Sequence, residues 1–423
     1  MHDSQLLTFL FSLAVLLGAA YVLGAVARRI GCPAVVGEIA AGIVVGKTVL
    51  GRLCPDVFAW LFREGPAGVM LQGYKSLAVV LLMVVAGLEM NTGAMRRIGK
   101  AMAWSALLGA LVPFLFGYGF GLVAPDRYLA DPSQRTFHAL FLGIALAISA
   151  LPVITRTLID LGLMKTEFGA IVLSVAVIND LVGWVCFSAL VGAMTTGSTS
   201  GGDIAMSIGV TAACLALALV VLRPLADRWL RWVARDDGDA SGGHALAIVV
   251  VLALLGATAT ELLGMHAVFG GFVIGLAVGG SRHLGEPTRR VLRVAVTTLF
   301  TPVFFAAMAL RYDFAAQLDP VLVLVVTAIA VVSKVVGSAL GARLGGVMGR
   351  EALAIGFGLS SRGAMEIILA TLALEAKIIH ERMFVALVIM ALVTSLLAGP
   401  AIRRLLRGSE GALRTRPDVR ALG

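Results

Sequence analysis

Apolar runs close to the length of a bilayer-crossing helix recur along the entire chain, and no other feature limits its fold as severely. Thirteen can be marked, at about 5–27, 33–50, 74–91, 99–123, 136–158, 167–194, 204–223, 243–262, 265–280, 291–310, 319–342, 351–374 and 381–402. A helix needs about 20 apolar residues to span the hydrocarbon core. Only 14% of the 423 residues are charged, against about 25% in soluble domains. The sequence therefore predicts an all-α polytopic membrane protein with about 13 transmembrane helices.

The net charge of +9 is not a nucleic-acid footprint, because the basic residues follow the membrane. With the N-terminus outside, inner loops and the tail hold 23 of the 34 Lys and Arg, including Arg28, Arg29, Arg96, Arg97, Lys100 and six arginines after residue 402. Nine fall outside, and Lys334 and Arg362 lie within segments. This asymmetry predicts an outer N-terminus and a cytoplasmic C-terminus, which an odd number of crossings also requires. No basic stretch precedes the first run and no small-residue cleavage site stands out, so it is expected to remain as a helix. Cys32, Cys54, Cys186 and Cys214 lack metal-ligand spacing and are expected to serve packing.

The longest polar break, RPLADRWLRWVARDDGDASGGH (223–244), divides the chain. It predicts a first six-helix half at 1–200, a linker helix and cytoplasmic loop at 201–240, a second six-helix half at 241–405, and a short cytoplasmic tail at 406–423. The halves echo each other: PAVVGEIAAGIVVG (33–46) aligns without gaps on HAVFGGFVIGLAVG (266–279), with glycines coinciding at 37/270, 42/275 and 46/279. GLEMN (87–91) and ALRYD (309–313) end equivalent segments. A seventh crossing between the halves inverts the second, and inverted repeats are common in secondary transporters, whose substrates bind at interrupted helices near the midplane. Interruptions stand at equivalent places, at Pro152 in GIALAISALPVITRTL (143–158) and Gly363 in AIGFGLSSRGAMEIILA (354–370). Proline removes a helix N–H and clashes with the preceding turn, and free backbone groups at membrane depth are tolerated only where they line a cavity or are buried in protein.

Asp180, in SVAVINDLVGW (174–184), lies midway along its segment, too deep for so short a side chain to reach the interface. An ionised carboxylate there costs at least a few (~2–3) kcal/mol and usually faces a cavity or a partner. Asn179 beside it supplies an amide oxygen for a hard cation or an NH₂ that holds Asp180. Lys334, in VVSKVVGSALG, is placed to face Asp180; desolvation makes its proton labile, and a plain structural salt bridge is the alternative. Arg362 and Glu366, four apart on one helix face, either pair with each other or act in gating at the break. The repeated glycines are expected to let helices approach closely. Glu38 among them serves a surface, a neighbouring helix or the substrate. Glu89, Asn91, Arg311 and Asp313 lie at segment ends and are assigned no function; His266 and His283 sit near predicted interfaces, where pH sensing is conceivable.

PAVVGEIAAGIVVG, GLEMN, RTLIDLGLMKTEFGAIVLSVAVINDLVGW, VVSKVVGSALG and GLSSRGAMEIILA, in this order over essentially the whole chain, resemble the monovalent cation:proton antiporter-2 family. The resemblance implies a sodium/proton antiporter fold with a dimerisation domain, a six-helix core containing two crossed, broken helices, and a homodimer in which the core moves like an elevator. It implies that Asp180 binds cation and proton alternately, with Ser149 and Thr155 as further ligand candidates. Electrogenic members carry two adjacent aspartates, the first paired with the lysine that matches Lys334; here that position is Asn179. Related electroneutral antiporters place a glutamate one turn earlier, where this chain has Val175. Many relatives also carry a large nucleotide-binding domain after the last helix, where this chain has only about 20 residues, so no fused regulatory domain is expected.

The sequence thus predicts exchange of a monovalent cation, Na⁺ or K⁺, for H⁺ by alternating access, electroneutral because one carboxylate titrates, with no cofactor, in a bacterial inner (plasma) membrane. A sodium-coupled organic anion symporter on the same fold, and a cation sensor or enzyme that transports nothing, are the alternatives. No HExxH, Gly-x-Ser-x-Gly or paired catalytic aspartates support an enzyme.

Overall fold

The computed structural model describes residues 2–29, 32–62, 65–89, 99–164, 166–196, 218–234, 243–263, 265–281 and 283–407, with isolated positions between 202 and 216. The segment at 204–223 for the most part, Asn91, Cys214, and the tail beyond 407 lie outside the described residues. The principal helices are α1 (His2–Arg29), α2 (Ala34–Val45), α3 (Pro66–Glu89), α4 (Lys100–Val123), α5 (Arg135–Ala147), α6 (Leu151–Asp160) and α7 (Glu167–Thr196). They continue with α8 (Arg223–Ala234), α9 (Gly243–Leu262), α10 (Ala267–Gly279), α11 (Glu286–Leu310), α12 (Pro320–Leu344), α13 (Gly349–Leu359), α14 (Ala364–Glu375) and α15 (Glu381–Leu406).

Among the described residues, nine helices are long and apolar enough to cross a membrane, and ten spans result if α13 and α14, bent by 45°, count as one. Three of the expected thirteen are not among these. The ninth segment is a 13-residue helix, α10, about 20 Å long and so shorter than the hydrocarbon core. The fifth is split into α5 and α6, and the seventh lies mostly outside the described residues.

Two compact units form, and each takes residues from both sequence halves. The first comprises residues 1–92 and 188–317. Within it the two glycine triplets make equivalent contacts. A Cβ on Gly37 of α2 would lie 2.1 Å from the Leu23 carbonyl of α1, and one on Gly270 of α10 would lie 2.2 Å from the Gly256 carbonyl of α9. Five residues on, a Cβ on Gly42 would meet Ala306 O of α11 at 2.1 Å, and one on Gly275 would meet Val84 O of α3 at 2.2 Å. Lipid offers no hydrophobic drive between helices, so such backbone-to-backbone packing supplies the contact. Around these crossings sit two apolar clusters, one with Leu16, Ala41 and Val303, the other with Val84, Val249 and Ile274.

The amphipathic α8 belongs to the same unit, with Ala226 and Leu230 buried in the second cluster. Its Asp227 accepts hydrogen bonds from Ser281 Oγ at 2.5 Å and from His283 Nδ1 at 3.0 Å. The segment-end charges are paired as well, Glu89 with Arg293 at 3.0 Å and Asp313 with Arg52 at 2.8 Å. His266 caps α10 by accepting from Val268 N, and Cys32, Cys54 and Cys186 carry free thiols.

The second unit comprises residues 93–187 and 318–423 and holds both split helices, α5/α6 and α13/α14, with α4, most of α7, α12 and α15. Helices α4 and α12 lie together along a Gly337-xxx-Gly341-xxx-Gly345 stripe. A Cβ there would meet Leu108 O at 2.4 Å, Trp104 O at 2.3 Å and the Ala101 Cα at 2.1 Å. Asp319 starts α12 by accepting from Val321 N and Leu322 N at 3.1 Å, and it also accepts from the Tyr128 hydroxyl at 2.7 Å. This packing fixes Lys334, on α12, against the split helices.

Candidate functional site

The two interruptions meet each other. Helix α5 stops at Ala147 and α6 begins at Leu151; α13 stops at Leu359 and α14 begins at Ala364. The Ala150 N–H donates to Ser361 O at 2.9 Å, and Ser149 Oγ donates to Leu359 O at 2.8 Å. Pro152 sits in the first turn of α6, where its missing N–H is one of those left unpaired in any helix. It therefore starts the second half-helix, and the i−4 hydrogen bond it cannot make keeps α5 and α6 from joining into one helix. Gly363 is extended, at φ 179°, and is needed for space: a Cβ would lie 2.6 Å from Val153 Cγ2 and 3.4 Å from Ala150 Cβ.

Stopping α5 inside the protein leaves its last carbonyls without intrahelical partners and gathers partial negative charge. Two cations answer it. The Arg362 guanidinium donates to Ala145 O at 2.7 Å and to Leu146 O at 2.5 Å, and the Lys334 ammonium donates to Ala147 O. Arg362 also donates to Glu366 Oε2 at 2.6 Å, one turn along α14. Ser395 of α15 holds the break from behind by donating to Arg362 O. None of Asp180, Asn179, Lys334, Arg362 and Glu366 is more than 2% exposed.

Asn179 and Asp180 face different partners although adjacent on α7. In the amide orientation that satisfies its neighbours, Asn179 donates to Ala106 O at 3.0 Å and accepts from Lys334 Nζ at 3.2 Å. Lys334 is thus held by Ala147 and Asn179. The backbone N–H groups of Ser149, in the break, and of Leu151, the first residue of α6, face the Asp180 carboxylate at the positive end of that half-helix. Neither Asp180 oxygen completes a hydrogen bond to a described residue. Lys334 and Glu366 are its charged neighbours.

The sequence-derived candidates therefore divide. Asp180, Asn179, Ser149, Lys334, Arg362 and Glu366 converge on the crossing. Thr155 lies a turn further into α6, half-buried. Glu38 is buried in the first unit, with Arg28 as its charged neighbour. The carbonyls of Ala145, Leu146 and Ala147 went unrecognised in the sequence, since a backbone acceptor has no residue signature. Ser395 went unrecognised too, and so did the Gly337/341/345 stripe, which its four-residue spacing does announce.

Broken helices that meet at buried charges within an apolar helical bundle define a polytopic membrane protein. Residues 13–408 match the family model described as "Sodium/hydrogen exchanger, transmembrane", and the chain belongs to that family. It is 29% identical over 406 residues to Cation/H(+) antiporter 20 of Arabidopsis thaliana, covering 92% of this chain and 47% of that protein. It is 28% identical over 409 residues to the Na(+)/H(+) antiporter NhaS4 of Synechocystis, covering 95% and 98%. With the Na(+)/H(+)-K(+) antiporter GerN of Bacillus cereus the identity is 27% over 412 residues, covering 96% and 98%. The chain spans about half the length of the Arabidopsis relative and nearly all of the two bacterial ones. In fold it resembles the sodium proton antiporter MjNhaP1 of Methanocaldococcus jannaschii, with a TM-score of 0.68 at 15% identity over 97% and 99% of the two chains. Each of these relatives is named as an antiporter.

Proposed function

We propose that the chain exchanges a monovalent cation, Na⁺ or K⁺, for H⁺ across a membrane, with Asp180 as the shared seat of both. The observation that carries this is the state of Asp180: it is fully buried, both oxygens lack a hydrogen-bonding partner among the described residues, and it faces the N-terminal end of a half-helix. A buried carboxylate so placed is stabilised by taking up a cation or a proton. Of the three other buried charges at the breaks, Glu366 is neutralised by Arg362, and Arg362 and Lys334 both serve the carbonyl end of α5. The ionised set has two negative and two positive groups, so loading Asp180 with one proton or one monovalent cation leaves the same net charge. Exchange is then electroneutral, one for one.

Asn179 is better suited to steering Lys334 than to ligating the cation, since its oxygen is engaged there. The equivalent contacts of the two glycine triplets support an inverted repeat, and with it alternating access. We take the inner side to be the one with excess Lys and Arg, which places the N-terminus outside. The bilayer and a second copy of the chain are the proposed partners.

The test is reconstitution into vesicles carrying a pH-sensitive dye, with Na⁺, K⁺ and Li⁺ added in turn. Cation-driven proton flux is expected from the parent chain and none from Asp180→Asn. Proton flux absent with all three cations would point to the organic anion symporter or the sensor.

A further inference from the structure

We infer that the Ser361 hydroxyl is a ligand of the transported cation, so that the α13/α14 break contributes directly to the site and to its ion preference. The inference rests on the assignment of Asp180 above. Ser361 is fully buried in the break. Its carbonyl accepts the Ala150 N–H at 2.9 Å, and Ala150 stands between Ser149 and Leu151, the two residues whose N–H groups point at Asp180. Ser361 is therefore pinned to the strand of backbone that faces the carboxylate.

Three other serine hydroxyls in or against the two breaks are engaged. Ser149 Oγ donates to Leu359 O and Ser360 Oγ to Phe357 O, each at 2.8 Å, and Ser395 Oγ donates to Arg362 O and to Ala391 O. Ser361 Oγ makes no hydrogen bond to any described residue. A buried hydroxyl without a partner is unfavourable, and native structures seldom tolerate one without a ligand, water or ion to explain it. The carboxylate oxygens at the same crossing are unpartnered as well. Among the other unpartnered oxygens on these helices, Ser188 Oγ and Ser338 Oγ lie outside the two breaks, and Glu366 Oε1 belongs to a carboxylate already neutralised by Arg362.

One carboxylate and a neutral hydroxyl oxygen form a hard donor set of single charge, which suits a monovalent cation. The hydroxyl also serves the other half-cycle, because it accepts from Asp180 when the carboxyl is protonated. How tightly Ser361 Oγ can close on the ion then bears on the choice among Li⁺, Na⁺ and K⁺.

The experiment compares the parent with Ser361→Ala and Ser361→Thr in vesicles, measuring KM for each cation, and in detergent, measuring thermal stability with and without that cation. Ser361→Ala is expected to raise KM about tenfold, the effect of losing one good polar contact. Because no protein hydrogen bond is lost, its cation-free Tm should equal or exceed the parent's. Its Tm rise on adding cation should need correspondingly higher concentrations, and Ser361→Thr should restore both. A KM within about twofold of the parent for all three cations overturns the inference. So does a raised KM that accompanies a lowered cation-free Tm and is not rescued by threonine, which marks a structural role. If the parent itself neither exchanges nor gains stability with any cation, the assignment of Asp180 fails and this inference falls with it.

Discussion

At the scale of single residues, the site is a matter of which buried charge each group answers. Arg362 answers two carbonyls and Glu366 at once. Replacing it with methionine leaves Glu366 buried and unpaired, and removal of one member of such a pair costs about 3–5 kcal/mol. Arg362→Met should therefore unfold at markedly lower temperature in detergent, and Arg362→Met with Glu366→Leu should recover part of the loss; a single variant as stable as the parent would show that the pair carries no structural weight. Asp180 and Lys334 were legible in the sequence because a charge inside an apolar run has few bland explanations. The hydrogen-bond partners of Lys334 were not, since the sequence sets it against Asp180 and the structure gives it a backbone carbonyl and an amide. Ser361 is not legible for a related reason: hydroxyls are unremarkable in apolar helices, and only the structure shows that its Oγ has no hydrogen-bonding partner among the described residues.

At the scale of elements, the two breaks were legible from Pro152 and Gly363, but their mechanics were not. The proline begins a half-helix and the glycine makes room for Ala150 and Val153, facts that depend on one break packing into the other. Helix α8 offers a pH-dependent test. Hydrogen bonds from Ser281 and then His283 hold the Asp227 carboxyl at about 2, below the ordinary aspartate value of about 3.9. A depressed folded-state value means stability present above the unfolded value and lost as pH falls through the folded one. Asp227→Asn should thus melt below the parent at pH 7, and the difference should close between about pH 4 and pH 2. A gap that persists at the acid end would mean that the contact does not depend on the carboxylate charge.

At the scale of the whole chain, the apolar runs announced a polytopic helical protein, and the family match over residues 13–408 agrees. The grouping into units was not legible, because each draws on both halves of the sequence, and helix adjacency in a membrane follows glycine contacts more than chain order. The central claim is that one carboxylate, Asp180, carries either one proton or one monovalent cation while Asn179 keeps Lys334 from adding a travelling charge. The most direct measurement is the initial rate of cation-driven proton exchange in vesicles whose membrane potential is clamped at zero or at a negative or positive value, with the fluxes of cation and proton counted together. The account predicts a one-to-one ratio and rates indifferent to voltage in the parent chain, with voltage dependence appearing in Asn179→Asp. A parent rate that rises or falls with the potential, or a ratio other than one, would contradict it.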